Sequence, residues 1–129
     1  MAINPIQIVV DSSPAMLAYW GRDQRCLFAN AAYTRWFGRT PESMIGTTLR
    51  ELLGPTLYAL NLPHIEGALR GERQEFEREI PDPAGGTPRH SQATYVPHIE
   101  DGEVSGFSVH VAEITQLRNA LAQVKTLQG

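Results

Sequence analysis

The sequence has one cysteine, no excess of positive charge and no long apolar run. Because Cys26 is alone, no intrachain disulfide and no cysteine-rich zinc site can form. The 11 basic and 14 acidic residues give a formal charge of −3, so we expect no nucleic-acid partner. No run approaches the ~20 apolar residues of a membrane span, and no basic-then-apolar signal pattern opens the chain. We therefore expect no membrane segment and a cytoplasmic location.

The composition suits one folded domain. A chain of 129 residues has the length of a single domain. Hydrophobic residues make up 42% of it and charged residues only 19%, a balance that favours a buried core over disorder. The sequence therefore predicts one soluble domain of mixed helix and strand.

The first half alternates between short strands and short capped helices. Two β-prone runs, residues 16–20 and 25–29, flank a polar tetrad and predict a hairpin. Asn30 is positioned to cap a helix that Gly38 ends. Thr40 and Thr48 are predicted to cap two further short helices, the second of which ends at Gly54. A last helix, kinked near Pro63, is predicted to end at Gly71.

A strand follows, because residues 74–80 alternate in polarity. Phe76 and Ile80 share one face with Arg78, and three glutamates occupy the other. This pattern predicts a strand with one face in water.

Two longer β-prone runs, residues 90–99 and 104–113, flank an Asp101-Gly102 pair. Such a pair favours a two-residue type I′ turn, because both central positions need positive φ. Residues whose numbers sum to 203 then face each other. One face of this hairpin is predicted to carry Gln92, Thr94, Val96, Phe107, Val109 and Val111.

The last segment predicts a helix, because residues 115–128 contain no proline and no glycine. Its apolar residues have the 3, 4, 3 spacing of a short coiled-coil seam, and they are Ile114, Leu117, Leu121 and Val124. The pattern stops at Gly129 in mid-repeat. We therefore expect this helix to lead into an output domain outside the sequence.

Several short motifs occur in a fixed order along the chain. They are Asp11-Ser12-Ser13-Pro14, Asn30, Trp36-Phe37-Gly38, Thr40-Pro41-Glu42, Met44-Ile45-Gly46, Gly106-Phe107 and Glu113-Ile114-Thr115. With the order of the elements, these motifs resemble a PAS domain, the small sensor fold of signalling proteins. The usual closing triplet of that family is Asp-Ile-Thr, so Glu113 is a departure.

The resemblance implies an α+β fold, in which short helices cover one face of a five-stranded antiparallel sheet and an exit helix follows. Residues 1–115 would form the sensor and residues 116–129 would begin the signalling helix. The implied function is a non-catalytic sensory or dimerisation module that binds a small ligand or partner. A homodimer is predicted from the apolar seam of the exit helix together with the small, mildly apolar side chains on the other face of the hairpin. The exit helix, capped by the Thr115 hydroxyl, would pass the signal to an output domain such as a histidine kinase of a two-component system or a cyclic-dinucleotide enzyme.

Inward side chains of such a fold would orient a ligand in the cavity between sheet and helices. His64 lies in the segment that lines this cavity in PAS relatives, and Arg78 is suited to meet a carboxylate. The predicted ligand-binding residues are Tyr33, Trp36, His64, Arg78, Gln92, Thr94, Phe107, Val109 and Val111.

Neither haem nor flavin is predicted. The residues around His64 do not reproduce the motif of haem-binding relatives. Cys26 lies on the predicted second strand, whereas light-sensing relatives place their cysteine in an Asn-Cys-Arg-Phe-type motif on a mid-chain helix. The four histidines lack metal-ligand spacing, so no metal site is predicted and the ligand stays unnamed.

Two other classes of protein stay open. A small stand-alone α+β enzyme or ligand carrier with a conical cavity, as in ketosteroid-isomerase-like folds, needs a buried acid beside tyrosine donors. Most acids here fall in turns, caps or outward positions. The other alternative is a protein-interaction adaptor with a filled core and no ligand. The cavity volume and any bound molecule distinguish these classes.

Overall fold

The computed structural model describes residues 4–128 and contains one five-stranded antiparallel sheet. The strands are β1 (Met16–Gly21), β2 (Cys26–Ala29), β3 (Gln74–Ile80), β4 (Arg89–Glu100) and β5 (Glu103–Glu113). Their order across the sheet is β2-β1-β5-β4-β3. The predicted α+β architecture is confirmed. Residues 1–3 and Gly129, the outer ends of the two predicted regions, lie outside the described residues.

Five helices complete the described chain. They are α1 (Pro5–Ser12), α2 (Ala32–Phe37), α3 (Pro41–Met44), α4 (Leu49–Leu69) and α5 (Thr115–Gln128). The core lies between the inner face of the sheet and helices α2 and α4, and its largest fully buried side chains include Trp20, Trp36 and Phe107.

Asn30 does not cap α2, and that prediction is wrong. Its buried amide instead holds the chain that precedes β1. The Oδ1 atom accepts the N–H of Leu17 at 3.0 Å, and the Nδ2 atom donates to the carbonyls of Val10 at 2.6 Å and Ala15 at 2.9 Å. The start of α2 is bound by Asp11, whose carboxylate accepts the N–H of the residue before the helix.

The predicted end of α2 at Gly38 and the caps predicted at Thr40 and Thr48 are confirmed. Gly38 ends α2 in the left-handed conformation, with φ 69°. Thr40 accepts the N–H of Ser43 and begins α3. Thr48 begins α4 with a reciprocal capping box, in which its hydroxyl accepts the N–H of Glu51 and the glutamate carboxylate accepts the N–H of Thr48.

Helix α4 is broken at Gly54 and not at Pro63. Gly54 has φ 77° and ψ 166°, which separates a short first turn from the rest of the helix, whereas the backbone stays helical at Pro63. The kink predicted near Pro63 is therefore wrong, and the stop predicted at Gly54 is a break within α4. Beyond it, Leu57, Asn61 and Ile65 are buried at a spacing of four, which places them on one face of the helix.

Strands β4 and β5 are joined by the predicted turn, since Asp101 and Gly102 both have positive φ. Next to the turn, Ile99 pairs with Val104, which follows the predicted register. A bulge between His98 and Ile99 then shifts the register by one residue for the rest of the hairpin.

This shift reverses the two faces of β4, because a slip of one residue turns every side chain over. Gln92 faces Ala112 and Thr94 faces His110 on the outer side of the sheet. The prediction that Gln92 and Thr94 face inward is therefore wrong. The inner face of the hairpin consists of Ser91, Ala93, Tyr95, Phe107, Val109 and Val111.

The junction between β5 and α5 is bound to β4. The Thr115 hydroxyl accepts the N–H of His90 at 2.9 Å and donates to the Glu113 carboxylate at 2.9 Å. The N–H of Ile114 donates to the His90 carbonyl at 2.8 Å. The predicted tie between exit helix and sheet is present, although the Thr115 hydroxyl binds a strand rather than a helix amide. Glu113 makes its hydrogen bond despite being longer than the usual aspartate.

Candidate functional site

The inner face of the sheet and helix α4 enclose a cavity of about 30 Å³. This is roughly the share of one water molecule in the liquid, ~30 Å³. Most of the lining is apolar and comes from β1, β5, α4 and the end of α2. The polar or partly polar side chains that reach it are Trp20, Tyr33, Asn61, Arg78, Ser91 and Tyr95.

The sequence-predicted ligand residues separate into two groups. Four of them line the cavity, namely Tyr33, Arg78, Val109 and Val111. The rest do not line it. Phe107 is fully buried beside Tyr95, with ring centroids 5.2 Å apart, and Gln92 and Thr94 lie on the outer face.

His64 and Trp36 are also held away from the cavity. His64 stacks on Phe76 with ring centroids 3.9 Å apart, and its Nδ1 atom lies 2.8 Å from Oε1 of Gln74. Trp36 is buried, and the guanidinium of Arg89 lies 5.1 Å from its ring centroid. Both rings therefore support the fold around the cavity.

Arg78 connects β3 to α4. Its Nε atom donates to Oδ1 of Asn61 at 3.0 Å, and its terminal nitrogens donate to the carbonyls of Leu60 at 2.8 Å and Glu77 at 2.9 Å. The guanidinium also lies 5.1 Å from the ring centroid of Phe76. All three acceptors are neutral, so the positive charge is hydrogen-bonded but not neutralised.

Two buried phenols stand at the same cavity. Burial raises the pKa of Tyr95, and the neighbouring Asn61 amide and the charge of Arg78 oppose that shift only in part. Burial also raises the pKa of Tyr33 well above its ordinary value of about 10. Both phenols therefore keep their protons at neutral pH and can donate them in hydrogen bonds.

Trp20 places an unused donor in the cavity wall. Its Nε1 atom is buried and makes no hydrogen bond of normal geometry within the described part of the chain. It is near enough to the Tyr33 hydroxyl to favour the ionised form of that phenol, against the larger effect of burial. Buried polar groups are almost always satisfied, so this N–H is suited to bind an acceptor in the cavity.

Sequence reasoning missed Asn61, Tyr95 and Ser91. The signal for Asn61 was present, because Leu57 and Ile65 flank it at a spacing of four on an apolar helix face. The inward orientation of Tyr95 and Ser91 depends on the bulge between β4 and β5, where Ser105 is the extra residue of β5, and no residue type in the sequence marked that position.

Strand β3 connects the cavity to the exit helix. Arg78 faces the cavity, and its neighbour Glu77 faces the opposite side of the strand. There the Glu77 carboxylate forms an ion pair with Arg118 of α5, which raises the pKa of the Arg118 guanidinium. The Ser91 hydroxyl donates to the carbonyl of Arg78 at 2.8 Å and fixes this segment to β4.

Comparison with known proteins identifies the family. The PAS fold family model matches residues 10–119, which is most of the chain. The protein therefore belongs to the PAS fold family of sensory signalling modules. No curated protein sequence matched the chain.

Solved structures share the fold. The PAS domain of Bordetella pertussis BvgS is 24% identical, with a TM-score of 0.67, over 95% of this chain and 93% of that one. A PAS domain from Colwellia psychrerythraea is 16% identical, with a TM-score of 0.69, over 84% and 93% of the two chains. A Vibrio cholera VqmA–ligand–DNA complex is 19% identical, with a TM-score of 0.72, over 98% and 60%. Because one of these neighbours is a DNA complex, the absence of a nucleic-acid partner stays a prediction.

None of the helices between residues 4 and 128 combines the length and the apolar character needed to cross a membrane. In the same residues, no three His, Cys, Asp or Glu side chains come together as a metal-binding group.

Proposed function

We propose that this PAS domain is a non-catalytic cytoplasmic sensor. It binds a small ligand in the cavity and transmits the binding event through α5 to an output domain of the same polypeptide, such as a sensor kinase or a cyclic-dinucleotide enzyme. The observation that carries this proposal is the adjacency of Arg78, on the cavity wall, and Glu77, which holds α5 through Arg118.

The transmission rests on two ties between α5 and the sheet. One is the Thr115 hydroxyl on the backbone of His90, and the other is the Arg118–Glu77 ion pair. A ligand that displaces Arg78 changes the position of β3, and thereby the preference of α5 for its docked orientation. A ligand shifts such an equilibrium only by its difference in affinity for the two states.

The size of the cavity implies that binding is accompanied by movement. A volume of about 30 Å³ accommodates little more than water. Leu52 and Leu53 line the cavity from the first turn of α4, and the break at Gly54 separates that turn from the rest of the helix. We expect this turn to move outward when a ligand enters.

The exposed seam of α5 supports a homodimer. Leu117, Leu121 and Val124 are 56%, 49% and 48% exposed and share one face of the helix. A parallel α5 from a second copy would cover these side chains with coiled-coil packing. The homodimer would place two cavities on one pair of exit helices.

The proposal is tested by backbone amide exchange in residues 116–126. Thr115→Val removes the hydroxyl that binds His90 and Glu113 while keeping the shape of the side chain. We expect exchange in this segment to accelerate by roughly 5- to 10-fold, since a lost hydrogen bond is worth about 1 kcal/mol. Thr56→Val is the matched control, because Thr56 is exposed on α4 away from the junction. Unchanged exchange in Thr115→Val would contradict the coupling.

The small cavity also favours a second candidate, an interaction module that needs no ligand. A core filled to this degree can serve purely as a scaffold for a partner or a second copy. Native mass spectrometry and an absorption spectrum of freshly purified protein distinguish the two candidates. A copurified small molecule supports the sensor, and a ligand-free mass that no candidate ligand changes supports the scaffold.

A further inference from the structure

Within the described residues, the positive charge of Arg78 has no carboxylate partner. Among residues 4–128 no carboxylate oxygen lies within 4.0 Å of its guanidinium, whereas five other arginines form such pairs. Arg78 is half-buried and lines the cavity. A desolvated charge is normally paired with an opposite charge. The three acceptors around Arg78 are neutral, so an anion in the cavity would supply the ion pair that they do not provide.

The other polar groups of the cavity point to the same kind of ligand. The lining, all of it within the described residues, includes no Asp and no Glu. It does include the unbonded N–H of Trp20 and the protonated hydroxyls of Tyr33 and Tyr95. Donors and one cation therefore surround the space, an arrangement that attracts acceptor oxygens and disfavours amines.

We propose that the cavity binds a short-chain monocarboxylate. The carboxylate pairs with the Arg78 guanidinium and accepts a hydrogen bond from the Trp20 indole, and the alkyl chain packs on the apolar side chains of α4 and β5. The inference rests on the proposed sensor function and specifies the ligand class of the same site. A short acid is favoured over a long or branched one because it requires the smallest outward movement of the first turn of α4.

The matched probes are butyrate and butyramide, which share size and shape and differ in charge, and butylammonium is added as a cation with the same number of carbon atoms. They are titrated into the protein at pH 7.5 and constant ionic strength, and binding is measured by calorimetry. A hydrogen bond to a charged group contributes more free energy than one between neutral groups. The difference corresponds to a preference for butyrate over butyramide of at least roughly tenfold. We expect butyrate to bind at least tenfold more tightly than butyramide, and butylammonium not to bind.

Arg78→Gln should abolish this preference, so that butyrate and butyramide bind with equal affinity. Arg89→Gln is the matched control, because the Arg89 guanidinium lies over Trp36 outside the cavity. Retention of the tenfold preference in Arg78→Gln would overturn the assignment. Circular dichroism and the melting temperature establish that each variant is folded.

A second measurement uses the unaltered protein and does not depend on a variant folding. The chain has two tryptophans, whose indole N–H groups give two NMR resonances. Trp20 lines the cavity and Trp36 does not. Butyrate should shift the Trp20 resonance and leave that of Trp36 in place. An equal shift of Trp20 by butyramide overturns the carboxylate assignment while the sensor function stands. If no probe shifts the Trp20 resonance, the carboxylate assignment is also overturned. The sensor function is then tested separately by the amide exchange of Thr115→Val.

Discussion

Asn30 shows how one buried amide organises the start of the domain. Its three hydrogen bonds connect Leu17 of β1 to the carbonyls of Val10 and Ala15. Asn30→Ala leaves one donor and two acceptors without partners in a site closed to water. We expect it to lower the free energy of unfolding by about 2–4 kcal/mol, measured by urea denaturation.

The matched control for Asn30 is Asn119→Ala, on an exposed position of α5. That change should stay within about 0.5 kcal/mol of the unaltered protein. Equal effects of the two substitutions would show that the buried network contributes nothing specific.

The buried phenols predict a loss of stability in alkaline solution. Burial raises the pKa of Tyr33 and Tyr95 in the folded state, whereas in the unfolded chain they ionise near pH 10. Above that pH the unfolded state releases protons that the folded state retains. The free energy of unfolding should therefore fall by about 1.4 kcal/mol per pH unit for each buried tyrosine.

Denaturation at pH values between 9 and 11.5 measures this slope. Tyr33→Phe and Tyr95→Phe should each make it shallower, whatever their stability at neutral pH, because the ionisable group is gone. Identical slopes in both variants and the unaltered protein would rule out the buried phenols as the cause.

At the scale of elements, two glycines of positive φ place different demands on a side chain. Gly38 has φ 69° and ψ 21°, a left-handed helical conformation that asparagine tolerates. Gly54 has φ 77° and ψ 166°, a region that is essentially restricted to glycine. We expect Gly54→Asn to destabilise the domain by about 2–3 kcal/mol, measured by thermal unfolding.

Gly38→Asn is the comparison, with an expected cost of about 1 kcal/mol or less. A side chain at Gly54 has open space around it, since no atom lies within 4 Å of the position a Cβ would take. The difference between the two variants therefore reports backbone conformation. If both cost the same, the break in α4 does not require glycine.

Most of the element pattern was predictable because the responsible interactions are local. Two helices begin with hydrogen bonds to Thr40 and Thr48 from residues three positions along the chain. Helix α2 ends at Gly38, whose N–H donates to the carbonyl of the residue four positions before it. The Asp101-Gly102 turn depends on the φ preferences of its own two residues. The alternating polarity of residues 74–80 likewise predicts a strand with the bounds it has in the structure.

The errors have the opposite origin. Asn30 was expected to bond within its own helix, yet its partners lie thirteen to twenty residues away. Gln92 and Thr94 were misplaced because the bulge beside His98 has no strong local signature. In the shifted register, Tyr95 packs in the core against Phe76 and Phe107. Alternating polarity along one strand does not predict such long-range contacts.

At the scale of the whole molecule, the seam of α5 predicts a homodimer. Light scattering should give twice the chain mass of 14.3 kDa. The double variant Leu117→Ser/Leu121→Ser removes the apolar seam and should give the monomer mass at micromolar concentration, because the coiled-coil packing is lost.

Ala120→Ser is the control for the seam, since Ala120 is exposed on α5 outside the 3, 4 spacing. It should leave the mass of the dimer unchanged. A concentration-independent monomer mass for the unaltered chain would contradict the homodimer.

The sequence by itself determined the PAS fold, the order of the elements, the caps of α3 and α4 and the hairpin turn, because these depend on residue types and contacts close along the chain. The tertiary structure alone decided which side chains enclose the cavity. One bulged residue turned Tyr95 and Ser91 inward and Gln92 outward, and the register of two strands is set by the packing of the whole core. The same structure placed Arg78 beside the cavity with only neutral partners, which required its neighbours on α4 to be known.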